Sequence, residues 1–201
     1  GQQVTLIAVT KTHGPDVVDA AARAGVCDVG ENKVQEALSK MPDVTEPVRW
    51  HLIGHMQRNK VKHVDQFALV HSVDSERLAR ALDAHGQARG KAVEVLLQVN
   101  VSGEASKGGV EPDELDRVAQ VLAELPGLRV RGVMTMAPFD AGEGTLRRVF
   151  AGARNARSAL VAAGLAADEL SMGMSGDYEV AVEEGATMVR LGTVLFGART
   201  T

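Results

Sequence analysis

Short apolar runs alternate with longer amphipathic, alanine-rich stretches from one end of this 201-residue chain to the other. The short runs are rich in β-branched residues and indicate buried strands, whereas the longer stretches have the periodicity of helices. The predicted strands are residues 4–10, 26–30, 49–54, 68–73, 92–101, 129–136, 169–173 and 188–196. The predicted helices are residues 15–24, 32–41, 57–64, 75–89, 112–124, 145–163 and 175–184. Strict alternation of strand and helix predicts an α/β fold with a parallel sheet.

The number of strands favours a closed barrel over an open sheet. Eight strands are predicted, and no GxGxxG motif follows the first, so we expect a (β/α)8 TIM barrel. No linker or change in composition divides the chain, and residues 1–201 are expected to form a single domain. Because the chain begins almost directly with a strand, we expect an N-terminal segment carrying the eighth helix to precede it.

Composition and charge argue against several classes of function. The formal net charge is −4, and the only basic cluster, at residues 58–63, is short and suits a solvated helix face. Neither feature indicates binding to nucleic acid or to a membrane surface. Cys27 is the only cysteine, which excludes an internal disulfide or a thiolate metal cluster and fits a cytoplasmic location. We expect no metal site, and with no long coiled-coil heptad we expect a monomer.

Lys11 stands at the end of the first apolar run and admits two interpretations. Its stem could lie on the core while its ammonium group reaches water. Alternatively, burial could favour the neutral amine, which is the form that attacks carbonyl groups. Position alone leaves both interpretations open.

Polar residues collect at the carboxyl ends of the predicted strands, where barrel enzymes carry their sites. Loops after the seventh and eighth strands contain the pairs Ser175-Gly176 and Gly192-Thr193. A hydroxyl beside an unencumbered backbone at a helix start suits a bound phosphate, although Ser175 could simply cap its helix and Gly192 could simply turn the chain. A lysine facing such a phosphate site is the arrangement needed for an imine to a phosphorylated aldehyde, of which pyridoxal phosphate is one.

Motifs along essentially the whole chain resemble, in order, those of the pyridoxal phosphate homeostasis proteins. The matching segments are residues 8–12, 30–36, 50–54 with 57–60, 100–102 with 106–109, 170–177, and 189–193 with 196–199. The resemblance implies a single-domain TIM barrel of the alanine racemase N-terminal type, which is fold type III among pyridoxal phosphate proteins. It further implies that pyridoxal 5′-phosphate is held as a covalent aldimine on Lys11.

The same resemblance assigns further cofactor-binding residues. Ser175, Gly192 and Thr193 would hold the phosphate, with Arg190 near the pyridine nitrogen or the phosphate. Asn32 and His51 would line the ring pocket, although Asn32 also suits a helix cap and His51 also suits a hydrogen-bonded histidine inside the barrel.

The sequence favours a carrier of the cofactor over an enzyme. An arginine beside the pyridine nitrogen keeps it unprotonated, which makes the ring a weaker electron sink. Alanine racemases, which this chain resembles in its barrel, draw an opposing tyrosine base from a second domain, whereas Tyr178 is the only tyrosine here. We therefore expect no catalytic residues, and a protein that buffers pyridoxal phosphate in vitamin B6 and amino-acid homeostasis and hands it to apo-enzymes that depend on it. The rivals are a pyridoxal-phosphate-dependent amino-acid racemase or lyase, and a cofactor-free aldolase whose Lys11 binds a phosphorylated sugar.

Overall fold

Eight parallel strands close into a barrel in chain order, in a computed structural model that describes residues 2–104 and 107–197. The strands are β1 (Thr5–Val9), β2 (Asp28–Glu31), β3 (Arg49–Leu52), β4 (Leu69–Val73), β5 (Val93–Gln98), β6 (Leu128–Met134), β7 (Glu169–Ser171) and β8 (Met188–Leu191). Pairing of β1 with both β2 and β8 closes the barrel. The predicted barrel is therefore confirmed. Of the motif residues, Ser106, Ala198 and Arg199 lie outside the described part of the chain.

Helices fill the connections between successive strands and surround the barrel. The α-helices are α1 (Pro15–Arg23), α2 (Val34–Lys40), α3 (Glu76–Arg89), α4 (Leu115–Ala123), α5 (Glu143–Ala162), α6 (Tyr178–Glu183) and α7 (Thr193–Phe196). In the described residues, three 3-10 helices accompany them, at Met41–Asp43, Arg58–Gln66 and Pro112–Glu114. The connection from β3 to β4 is thus a 3-10 helix where the sequence predicted an α-helix. None of the described helices combines the length and the apolar character needed to span a bilayer.

Two predicted boundaries differ from the structure in ways that matter for the site. The last predicted strand, residues 188–196, ends at Leu191, and the apolar residues after Gly192 form α7. A short apolar run can be either helix or strand, which explains the error. The predicted helix 175–184 begins only at Tyr178, because the Asp177 carboxylate accepts the backbone N–H of Met174 at 2.5 Å and holds residues 174–177 in a turn.

Side chains of the strands alternate between the barrel interior and the surrounding helices. The layer between barrel and helices is apolar, with Leu52, Val133 and Leu170 from the strands and Phe150 and Leu160 from α5 all buried. Burying a side chain of this size contributes about 1.5–3 kcal/mol. The barrel interior is mixed, since an apolar cluster is accompanied there by buried polar side chains. The apolar cluster comprises Ile7, Leu69, Leu96, Met134 and Met188.

Candidate functional site

A cavity of about 990 Å³ opens at the carboxyl ends of the barrel strands. It is formed mainly by residues at or just after the carboxyl ends of all eight strands, including the loop that follows β5. Six of the seven residues that the sequence proposed for cofactor binding line it, namely Lys11, Asn32, Ser175, Arg190, Gly192 and Thr193. The structure therefore brings together side chains that lie far apart in sequence.

The half-buried side chain of Lys11 is held at the cavity by anchored neighbours. Thr10 is fully buried, and its hydroxyl donates to Oε1 of Glu31 at 2.6 Å. On the other side, the backbone N–H of Thr12 donates to Oε1 of Glu36 at 2.5 Å, and Thr12 has a positive φ of 68°. Because both flanking residues are tied to side chains of β2 and α2, the backbone that carries Lys11 is fixed.

Arg190 places a cation at the base of the cavity. Its side chain lies inside the barrel, where the guanidinium donates to Oγ of Ser171 at 2.6 Å and to the carbonyl oxygen of Thr135 at 2.9 Å. Burial lowers the pKa of Arg190 to about 10, so it remains charged at neutral pH. No carboxylate lies within ion-pair distance of it in residues 2–104 and 107–197. A buried cation of this kind favours a ligand that brings an acceptor or a negative charge.

The loops after β7 and β8 are joined through Ser175. Its Oγ accepts the backbone N–H groups of Gly192 and Val194, each at 3.3 Å. Ser175 therefore does not cap α6, as one reading of the sequence suggested, but links the two loops that the phosphate hypothesis requires. Burial raises the pKa of the nearby Asp177 carboxyl, against its hydrogen bond from Met174 and the charge of Arg190.

Asn32 follows β2 directly, and its backbone packs tightly against the end of β3. A Cβ added to Gly54 would lie 2.3 Å from the carbonyl oxygen of Asn32, so only glycine permits this contact. Close packing of the two loops brings Asn32 to the edge of the cavity.

A histidine and a carboxylate that the sequence did not single out as site residues meet at the cavity mouth. Nδ1 of His55 lies 2.8 Å from Oδ2 of Asp74, and both residues line the cavity. His55 is mostly exposed, and the pairing depends on the side-by-side position of β3 and β4, which the sequence alone does not give.

His51 does not lie with the other predicted site residues. It points into the barrel within β3, two positions before the loop that reaches the cavity, and lines a smaller cavity of about 240 Å³ at the opposite end. Its Nε2 lies 2.8 Å from Oδ1 of Asp28, and its Nδ1 lies 3.0 Å from Nε2 of His71. These surroundings match the other interpretation of His51 that the sequence allowed, a hydrogen-bonded histidine inside the barrel.

Sequence reasoning missed Asp28 and His71, which share these bonds. The available signal was a titratable residue within a short, mainly apolar strand, as with His71 in β4. No group of three or more histidine, cysteine, aspartate or glutamate side chains suited to a metal ion occurs in the part of the chain that the structure describes.

The sequence is similar along nearly its whole length to known proteins. The sequence model of the alanine racemase N-terminal domain matches residues 1–200. The pyridoxal phosphate homeostasis protein of Pseudomonas aeruginosa is 44% identical over 198 residues, which cover 98% of this chain and 85% of that relative. The protein of the same name from Escherichia coli is 40% identical over 208 residues, which cover 98% of this chain and 87% of that relative.

Solved structures show the same barrel. PipY of Synechococcus elongatus, solved with PLP bound, matches with a TM-score of 0.90 and 39% identity over 96% of this chain and 92% of PipY. Alanine racemase from Corynebacterium glutamicum matches with a TM-score of 0.81 and 20% identity over 98% of this chain but only 57% of the racemase. At that identity the racemase shows a shared fold and nothing more.

Proposed function

Because this chain belongs to the family of pyridoxal phosphate homeostasis proteins, which share the alanine racemase N-terminal domain, we propose that it binds pyridoxal 5′-phosphate and carries or buffers it. The observation that supports this most directly is the shared cavity of Lys11, Ser175 and Arg190. An amine, a hydroxyl with adjacent backbone N–H groups, and a buried cation are the groups that an aldehyde, a phosphate and a pyridine nitrogen require.

The donor set of the cavity fits the cofactor. Lys11 would hold it covalently and reversibly through an imine, and Ser175 with the backbone of Gly192 and Thr193 would hold the phosphate. Asn32 would contact the ring from the edge of the cavity. Pyridoxal phosphate supplies an aldehyde and an electron-accepting ring when bound. The open mouth and the volume of about 990 Å³ suit a ligand that enters and leaves.

Arg190 bears on whether the site catalyses a reaction. Its guanidinium is charged at neutral pH and has only donors, so it would keep a neighbouring pyridine nitrogen unprotonated. Tyr178, the only tyrosine of the chain, is on α6, where its hydroxyl donates to Oε1 of Glu179 at 3.2 Å. It is not among the described residues that line the cavity. We therefore propose a carrier rather than an enzyme.

The His55–Asp74 pair at the cavity mouth favours one second candidate, a pyridoxal-phosphate-dependent amino-acid racemase or lyase. An imidazole oriented by a carboxylate is a common general base. If His55 serves in this way, purified protein will turn over D- or L-amino acids and His55→Asn will abolish that turnover.

The first experiment is absorption spectroscopy of the purified protein with added pyridoxal phosphate. We expect an imine band at the edge of the visible range that borohydride removes, and mass spectrometry of the reduced protein should place the pyridoxyl group on Lys11. Lys11→Arg retains the charge but cannot form the imine, so it should lack the band, while the exposed Lys91→Arg should retain it. A wild-type protein that takes up no pyridoxal phosphate would overturn the proposal, and would leave for Lys11 the aldolase and a lysine whose ammonium group simply reaches water.

The second experiment separates carrier from enzyme. The loaded protein is incubated with an apo-enzyme that depends on pyridoxal phosphate, and activation of that enzyme is compared with activation by free cofactor. Transfer without turnover of D- or L-amino acids supports the carrier, whereas robust turnover would overturn it.

We further propose a cytoplasmic, monomeric, single-domain protein whose partners are apo-enzymes. The single cysteine, Cys27, and the family membership support the location, and light scattering after size exclusion tests the monomer.

A further inference from the structure

Four buried side chains connect Arg190 to the opposite end of the barrel. Oγ of Ser171 lies 2.6 Å from the guanidinium of Arg190, and Nδ1 of His71 lies 2.9 Å from that Oγ. Nε2 of His71 is 3.0 Å from Nδ1 of His51, whose Nε2 is 2.8 Å from Oδ1 of Asp28. None of these residues is more than 7% exposed. The carrier function makes no use of this continuous chain.

The two ends of the chain fix the direction of its hydrogen bonds. Arg190 can only donate, so Ser171 accepts from it, and an ionised Asp28 can only accept, so Nε2 of His51 carries a hydrogen. Burial opposes ionisation of Asp28, but hydrogen bonds from His51 and Arg49 lower its pKa below the ordinary value. Burial, with His51 and the charge of Arg190 nearby, holds the pKa of His71 well below its ordinary value, so this ring is neutral.

Only one arrangement with two neutral imidazoles satisfies every partner. His71 donates from Nε2 to Nδ1 of His51, and the hydroxyl of Ser171 donates to Nδ1 of His71. In the other arrangement, His51 carries a second proton and donates it from Nδ1 to Nε2 of His71. His71 must then donate from Nδ1 to Oγ of Ser171, so the hydroxyl hydrogen of Ser171 needs an acceptor outside this chain of side chains. Along the first arrangement, each hydrogen bond is donated towards Asp28.

We infer that Asp28, His51, His71 and Ser171 form a positioning relay for Arg190, an inference that rests on the proposed binding of pyridoxal phosphate. The relay directs a lone pair of Ser171, never its hydrogen, at the guanidinium. Together with the carbonyl oxygen of Thr135, that lone pair holds the cation in one orientation. The guanidinium has five N–H groups, so it can engage a pyridine nitrogen in the cavity while these two bonds hold it.

Asp28 extends the relay to the smaller cavity at the amino ends of the strands. Nε of the largely exposed Arg49 donates to Oδ1 of Asp28 at 2.8 Å. The other charged side chains that line this cavity are Glu94, Arg131 and Glu169. Polarisation along successive hydrogen bonds carries the influence of the Asp28 carboxylate through the barrel, so this carboxylate acts as a distant counter-ion of Arg190.

The direction of the relay is tested first in the protein without cofactor. Long-range proton–nitrogen correlation spectra of protein labelled with nitrogen-15 in histidine report which ring nitrogen carries hydrogen. We expect His51 and His71 both to be neutral with hydrogen on Nε2, with signals assigned through His51→Asn and His71→Asn. Hydrogen on Nδ1 of His71, or a doubly protonated His51, would overturn the relay, and neither result depends on whether pyridoxal phosphate binds.

The second test changes the charge at the far end. Asp28→Asn keeps the shape but adds an amide donor, and such a change at a buried aspartate–histidine pair stabilises the wrong tautomer. We expect altered tautomers at His51 and His71 and about tenfold weaker binding of pyridoxal phosphate. Asp65→Asn is the matched control, because Asp65 pairs with His85 outside the barrel and its loss should leave the affinity unchanged. Unaltered tautomers in Asp28→Asn would contradict the inference.

The third test asks whether the relay acts through the ring nitrogen. Ser171→Ala removes the oxygen that Arg190 donates to, whereas Ser171→Thr retains it and should restore binding. We expect Ser171→Ala to bind pyridoxal phosphate about tenfold more weakly, but to bind the analogue with carbon in place of the ring nitrogen as well as the wild type does. An equal loss for both ligands would show a merely structural role and overturn the inference. If wild-type protein binds neither ligand, the proposed function fails while the tautomer result still stands.

Discussion

The ammonium nitrogen of Lys40 lies 2.8 Å from the carbonyl oxygen of Thr10, the residue immediately before Lys11. The same nitrogen donates to Oε1 of Glu31 at 2.5 Å, and the side chains of Lys40 and Glu31 are both almost fully buried. Burial raises the pKa of Glu31, against the hydrogen bonds that it accepts from Lys40 and Thr10. This buried pair therefore fixes the end of β1 beside the proposed attachment point of the cofactor.

Replacing Lys40 with methionine should reduce the free energy of unfolding by about 3–5 kcal/mol, because Glu31 would remain buried without its cation. The exposed Lys62→Met should change it by less than about 0.5 kcal/mol. Adding Glu31→Gln to Lys40→Met should recover part of the loss, since the unpaired charge is then removed. Urea unfolding followed by circular dichroism measures all of these variants, and strictly additive losses in the double variant would contradict the account.

Gly173 and Gly164 offer a matched pair for the loop after β7. Their φ angles are +96° and +89°, but a Cβ on Gly173 would lie 2.7 Å from Cβ of Ala181, whereas nothing lies within 4 Å of one on Gly164. Gly164→Ala should reduce the free energy of unfolding by about 1–2 kcal/mol, because of backbone strain alone. Gly173→Ala should reduce the free energy of unfolding by at least about 1 kcal/mol more, because the added Cβ overlaps Ala181. It should also weaken cofactor binding, because the loop after β7 must shift. If urea unfolding shows equal losses of free energy for the two variants, the contact between position 173 and Ala181 does not contribute.

The sequence predicted those parts of the site that depend on the position of a residue within its own strand or loop. Lys11 stands at a strand end, and the pairs Ser175-Gly176 and Gly192-Thr193 stand in the loops after two strands. The family resemblance then gave Lys11 its role and added Arg190. In a parallel barrel all strand ends of one kind meet at one rim, so local position is enough to bring such residues together.

The parts that the sequence did not give depend on register across the barrel. His71 and Ser171 stand 100 positions apart and meet only because the barrel closes around a shared interior. The sequence also did not show that Ser175 joins the loops after β7 and β8, because a serine before an apolar run resembles a helix cap until its bonds to Gly192 and Val194 are seen. A side chain inside one strand cannot reveal which interior neighbours it will have, so His51 could not be assigned to the correct cavity.

The stability of the protein should decrease as the pH falls below about 6.5, and His71 should be a main cause. Burial, with His51 and Arg190 nearby, holds the pKa of His71 well below its ordinary value of 6.5. The unfolded chain therefore binds a proton that the folded protein does not, and the folded state loses up to about 1.4 kcal/mol per pH unit. Urea unfolding between about pH 8 and pH 5 measures the slope. His71→Asn should flatten the dependence of stability on pH. His85→Asn, the control, removes an imidazole outside the barrel and should leave that dependence unchanged. Identical slopes in the wild type and His71→Asn would contradict the prediction.

Ser175 should discriminate between pyridoxal phosphate and pyridoxal, which lacks the phosphate. Its Oγ already joins the loops after β7 and β8 through the N–H groups of Gly192 and Val194, so it lies where a phosphate would be held. Ser175→Ala removes one hydrogen bond to a charged group, and should weaken binding of pyridoxal phosphate about tenfold while leaving the affinity for pyridoxal unchanged. The matched control is Ser158→Ala, since the Ser158 hydroxyl only donates to the carbonyl oxygen of Arg154 within α5. Absorption titrations with both ligands give the ratio of affinities, and an equal loss for the two would place the phosphate elsewhere in the cavity.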